Sequence, residues 1–129
     1  MKISNSVGYA LLAVGYLAQH PEEKIVLSQT ISKQYNIPVE YLLKIMQQLV
    51  IVNILRSKRG PRGGFSLAVS ANKITMLQVV EAVDGPMVRQ LGLAEKTKVK
   101  FSVKAERFYA KAFNQAKAVL QKTKISDLL

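Results

Sequence analysis

Residues 28 to 69 carry the pattern that most narrows the possible folds: two helical stretches around a tight turn, then two strand-like runs around a glycine-rich tip. Ser28 suits an N-cap, and the helical stretch after it, about Gln29 to Tyr35, is short. Asn36 tolerates the left-handed geometry of a helix end. Pro38 suits the first turn of the next helix, where its missing N–H would lack a partner anyway. From about Val39 to Val50, Leu42, Ile45, Met46 and Leu49 recur at i, i+3, i+4 and i+7, which predicts a core-facing stripe. Glu40, Tyr41, Lys44, Gln47 and Gln48 lie largely off it. Such a pair of helices is a helix-turn-helix.

Asn53 is expected to stop the second helix. Strands at about 54 to 58 and 64 to 69 then flank Arg59-Gly60-Pro61-Arg62-Gly63, and a hairpin appended to a helix-turn-helix is a wing. Upstream, Ser4 or Asn5 is expected to cap a first helix running to about Gln19, with Pro21 beyond its end, and Ile25-Val26-Leu27 to form a brief strand. Downstream, Thr75 suits the cap of a helix over 75 to 84, where Leu77, Val80 and Val83 supply an apolar face and Gly85-Pro86 the stop. A basic, weakly periodic connector leads to a long helix, about Val103 to Lys122, with Tyr109, Ala112, Phe113, Ala116, Val119 and Leu120 on one broad face. No later element is expected to cover that stripe, because Ile125 to Leu129 is too short to form another core. The helix is therefore expected to pack on its counterpart across a two-fold axis. The expected fold is mainly α with a small β-hairpin wing. Residues 1–86 form the winged helix-turn-helix, and 87–129 the connector and C-terminal dimerisation helix of the same compact unit.

Charge points to the partner. Nineteen Lys and Arg against eight Asp and Glu leave a formal charge of +11, which suits a polyanion such as nucleic acid or an anionic membrane surface. No Asp or Glu falls between Tyr41 and Val80, whereas Lys44, Arg56, Lys58, Arg59, Arg62 and Lys73 all do. The run at 7 to 18 has the length of a signal-peptide core, but Tyr16 stands where a small residue would precede cleavage, and no stretch approaches the roughly 20 apolar residues of a membrane span. A cytoplasmic protein is expected. Without cysteine the chain can hold no disulfide, thiolate metal site or cysteine-ligated cluster, and a lone His20 makes a histidine metal site a poor prospect. No cofactor is expected. A nucleophilic triad would have to use His20, which has no spacing cue to a serine and an acid, so no enzyme is expected either.

The residue types suit DNA. The major groove admits an α-helix, where Gln47 and Gln48 can pair with adenine, Lys44 can donate to guanine or phosphate, and Tyr41 can reach a phosphate or a thymine methyl. For Gln48, an ordinary surface role explains the residue as well. At the wing, Gly60 and Gly63 are expected to allow close approach to the backbone, and Pro61 to limit the entropy lost on ordering the tip. Arg59 is expected in the minor groove, with Lys58 and Arg62 on the backbone and Arg56 in the same basic window. Ser28 at a helix N-terminus can meet a phosphate, although capping alone explains it. Lys104, Arg107 and Lys111 share a helix face expected to be solvated.

These parts, with Met-Lys-Ile-Ser at 1 to 4, Tyr9-Ala10, Pro-Val-Glu-Tyr-Leu-Leu-Lys-Ile at 38 to 45, Arg-Ser-Lys-Arg-Gly-Pro-Arg-Gly-Gly-Phe-Ser-Leu-Ala at 56 to 68 and Ile-Thr-Met-Leu-Gln-Val-Val-Glu-Ala-Val-Asp-Gly-Pro at 74 to 86, resemble the Rrf2 family of bacterial winged-helix regulators. The resemblance implies a homodimer joined through the C-terminal helix, bound to a partly palindromic operator in double-stranded DNA. It implies DNA contacts from Tyr41 and its neighbours, Val39 among them, and from the wing tip. Cluster-binding members place three cysteines in the connector, and here there are none. Leu43 stands where many members carry an acidic residue, and Ser6-Val7-Gly8 lacks their basic residues. An effector, small molecule or protein, would be sought between residues 87 and 103 and around Phe101. A winged-helix module docking on an acidic partner protein is the alternative.

Overall fold

The apolar run near the start of the chain becomes helix α1, Asn5–Gln19, in the computed structural model, which describes residues 2–88, 91–93 and 96–129. Ala10, Ala13, Val14 and Leu17 recur at helical spacing on its buried side. Ser4 occupies the N-cap position without capping: its hydroxyl donates to Asp84, and its N–H donates to the other carboxylate oxygen at 2.9 Å. His20 closes the helix. Its N–H donates to the Tyr16 carbonyl, its ring stacks on Tyr16 at 4.1 Å, and Nδ1 donates to the same carbonyl at 2.8 Å. The Glu23 carboxylate, accepting from Tyr16, raises that phenol above its ordinary pKa.

Helix α2 is Ser28–Tyr35, and here the expected cap is corrected. Leu27 holds the N-cap geometry, its carbonyl already accepting from Thr30 N–H at 3.1 Å, so Ser28 is the first helical residue and its hydroxyl makes no capping bond. Asn36 takes the left-handed conformation (φ 55°), and Ile37 N–H donates to the Ser32 carbonyl at 3.0 Å. Pro38 then sits at the N-cap of α3, Val39–Ile51. Asn53, also left-handed at φ 63°, turns the chain out, with Ile54 N–H donating to Leu49 at 3.0 Å.

The hairpin pairs β1, Leu55–Lys58, antiparallel with β2, Gly64–Leu67, in the register Leu55 to Leu67 and Lys58 to Gly64. The strand expected at 25 to 27 shrinks to one bridge, Val26 with Phe65, closed by bonds of 2.9 and 2.7 Å. It stops there because Leu27 already starts α2.

Helix α4, Met76–Asp84, starts in a full capping box: Gln78 N–H donates to Thr75 Oγ1 at 3.1 Å, and Thr75 N–H to Gln78 Oε1 at 2.8 Å. Gly85, at φ 82°, ends it. Thr75→Ala should cost about 1 kcal/mol and lower the thermal midpoint by roughly 3–6 °C, measurable by circular dichroism.

Helix α5, Lys100–Lys122, begins earlier than its periodicity suggested and packs back on α4 through buried Phe113. The stripe is therefore not left bare, as the sequence reading had it; part of it is covered within the chain. Nor is the closing segment idle. Ile125 N–H donates to Ile74 and Met76 N–H to Thr123, each at 2.8 Å, which seats Ile125 in the main core. That core joins α1, Ile31 of α2, the inner side of α3, Leu55 and Phe65 of the hairpin, Ile74 and Val79.

Candidate nucleic-acid interface

Because Leu42, Ile45, Met46 and Leu49 are spent on the core, α3 presents Val39, Tyr41, Lys44 and Gln47 outward. Gln48 and Leu43 are half-buried, and Leu43 packs against the core. Between α3 and the hairpin runs an open groove of about 510 Å³, with Gln47, Val50 and Ile51 on one side and Ser57, Lys58, Arg59, Gly64 and Phe65 on the other. The fold thus brings Gln47, Lys58 and Arg59 to one place. Arg56 borders a neighbouring hollow with Val50, Asn53 and Val69. Gly60, Pro61 and Arg62 stand exposed at the tip, and Ser28, half-buried on α2, is not part of the groove.

The glycines of the tip have a different use from the one expected. A Cβ on Gly63 would stand 2.2 Å from the Lys58 carbonyl oxygen, and one on Gly64 would stand 2.6 Å from that of Val26. Gly63 is buried, and its N–H donates to the Gly60 carbonyl at 2.9 Å. Its missing side chain serves the hairpin's own turn. Gly60 alone of these three has open space around it, and its φ of 102° is what calls for glycine.

Among the described residues, no carboxylate lies in ion-pair contact with Arg56, Lys58, Arg59 or Arg62. With no carboxylate beside them, these side chains keep their charge available to an anion.

Two features escaped the sequence reading. Tyr41 is held from α1: its hydroxyl hydrogen-bonds with that of Ser6, and its ring meets Tyr9 edge-on at 5.6 Å. No linear motif joins positions 6 and 41, so only the packing of α1 on α3 reveals the pair. On α5, Phe113 is buried and Tyr109, Ala116 and Leu120 are half-buried, whereas Ala112 and Val119 are exposed. The uncovered apolar face runs instead through Phe101 (81% exposed), Phe108 (60%), Ala112 and Val119 (63%), at spacings of seven and four residues. The Arg107 guanidinium lies 5.5 Å from the Phe108 ring centre. Phe101, read from the sequence as part of the connector where an effector would be sought, belongs to α5 because the helix starts earlier than expected.

Two short helices around a tight turn, a basic hairpin beside the second and a long C-terminal helix define a winged helix-turn-helix protein. Comparison with known proteins agrees. A family model described as "Rrf2: Iron-dependent Transcriptional regulator" matches residues 3–129, and the chain belongs to this family of transcriptional regulators. It is 41% identical over 81 residues to an HTH-type transcriptional regulator of Aquifex aeolicus, covering 63% of this chain and 56% of that one. Over 97 residues it is 31% identical to one from Mycobacterium tuberculosis, covering 74% and 60%. The chain thus spans a little over half the length of these curated relatives. Its fold superposes on CymR, the global cysteine regulator of B. subtilis, with a TM-score of 0.84 and 25% identity over 99% of this chain and 95% of that one.

The family description names iron, and the donors here do not fit it. The chain has no cysteine and a single histidine, which is committed to closing α1, and no group of three or more potential ligands gathers among the described residues. Among them, too, no helix is long and apolar enough to cross a membrane.

Proposed function

We propose that the chain is a sequence-specific DNA-binding regulator that works as a homodimer on a partly palindromic operator, without an iron–sulfur cluster. The observation that carries this reading is the groove in which Gln47, Lys58 and Arg59 converge with no acidic partner among the described residues. Helix α3 enters the major groove and offers Val39 and Tyr41 to methyl groups and phosphates, Lys44 to guanine or phosphate, and Gln47 to adenine. The wing places Arg59 in the adjacent minor groove, with Arg56, Lys58 and Arg62 on the backbone and Gly60, Pro61 and Gly63 shaping the tip. Ser28, whose hydroxyl is not used in capping, donates to a phosphate near the start of α2. The uncovered face of α5 meets its counterpart across the two-fold axis, through Phe101, Phe108, Ala112 and Val119.

Selection from a pool of random duplexes tests this reading. The protein should recover an inverted repeat whose half-sites lie a whole number of helical turns apart, about 34 Å each. Recovery of no common sequence would overturn it. On the selected duplex, Arg59→Ala should cost roughly 1–3 kcal/mol and relax the preference at one position of each half-site. Full affinity in that variant would remove the wing from the reading machinery.

One observation favours a second reading. Ile51 is 79% exposed on the wall of the cationic groove, a combination that also suits an acidic protein segment with an apolar anchor. Binding to duplexes of any sequence no tighter than to an acidic control protein would favour that module.

A further inference from the structure

We propose that Ser6 is a positioning residue for DNA reading, acting through Tyr41, so that the first turn of α1 aims the reader of α3. This inference rests on the DNA-binding reading above. Tyr41 is 43% exposed, and a phenol on a helix surface ordinarily samples several rotamers, which costs entropy when DNA fixes one. Here two contacts from α1 restrict it before any DNA arrives. Tyr9, half-buried, sets the plane of the ring through its edge-on contact at 5.6 Å, and Ser6 engages the hydroxyl.

Either hydroxyl of the pair can donate to the other. In the arrangement that serves DNA, Ser6 Oγ–H donates to Tyr41 Oη, which leaves the phenolic proton to point outward and donate to a phosphate or base oxygen, and each bond in such a chain polarises the next. Ser6 itself is held in place, since Ser4, at the N-cap of α1, is tied through its N–H and hydroxyl to the Asp84 carboxylate at the end of α4. Ser6 thus contributes through an uncharged relay at the very segment that lacks basic side chains, and Gly8 beside it has open space where a side chain would stand.

The test is a double-mutant cycle on the duplex selected by the wild-type protein, with a scrambled duplex as reference and thermal unfolding as control. Ser6→Ala should weaken binding to the selected duplex about three- to tenfold, the worth of one hydrogen bond, with the scrambled duplex unaffected and the protein still fully folded at the binding temperature, its thermal midpoint lowered by no more than roughly 3–6 °C. Ser6→Thr should restore the preference. In a Tyr41→Phe background, Ser6→Ala should have no further effect, because the group it acts through is gone. Additive losses, or a loss shared equally by both duplexes, would overturn the role of Ser6 while leaving the operator reading intact. Failure of the wild-type protein to prefer any duplex would overturn both.

Discussion

Phe108→Asp should break the proposed homodimer and with it the proposed operator binding, while leaving the fold of each chain in place. Phe108 is 60% exposed on α5, so its own chain does not depend on its burial. In a two-fold interface the residue occurs twice. Burial of a phenylalanine contributes about 1.5–3 kcal/mol, so the two copies supply roughly 3–6 kcal/mol, or about two to four orders of magnitude in the dimer dissociation constant. A carboxylate near the axis adds repulsion and desolvation to that loss. Each monomer would keep one recognition helix and one wing, enough for salt-labile contact with phosphates but not for two half-sites at once. Sedimentation velocity across a concentration series, paired with far-ultraviolet circular dichroism, would show the change. A dimer that persists undiminished would place the interface elsewhere.

The second large effect is expected inside the wing. Gly63→Ala puts a methyl group 2.2 Å from the Lys58 carbonyl oxygen, and backbone on both sides leaves it nowhere to go. The expected cost is roughly 3 kcal/mol, the upper end of overpacking penalties, with the turn at residues 60 to 63 opening to relieve it. Lys58 and Arg59 would then lose their common placement in the groove and Arg62 its place at the tip, so binding to the preferred duplex should fall more than in Arg59→Ala. Gly8→Ala is the matched control. It lies in α1 with nothing near its missing side chain and should gain about 0.5–1 kcal/mol. Thermal unfolding of the two variants should therefore move in opposite directions.

Much of this was legible in the sequence because the signals are local. The stripe at Leu42, Ile45, Met46 and Leu49, the left-handed Asn36, the Thr75 cap and the glycine-rich tip each depend on a few neighbouring residues, and each appears where its chemistry puts it. What the sequence could not show is long-range. Ser28 reads as a cap, but the N-cap geometry falls to Leu27, next to the bridge between Val26 and Phe65, a contact distant in sequence. Gly63 reads as a residue that lets DNA come near, whereas its neighbour in space is the carbonyl of Lys58 across the turn. The apolar positions of α5 could be counted, but which of them face α4 depends on how Phe113 docks. The support of Tyr41 by Ser6 and Tyr9 likewise exists only once α1 lies across α3.

The central claim, that the cationic groove reads sequence, is tested most directly by fluorescence anisotropy of the purified protein on the duplex upstream of its own gene, with a scrambled duplex as competitor at physiological salt. Specific regulators prefer their sites by about a thousandfold or more, and that preference is the predicted result. Equal and equally salt-labile binding to both duplexes would contradict it, reduce the wing to a polyanion anchor and favour the acidic-partner module instead.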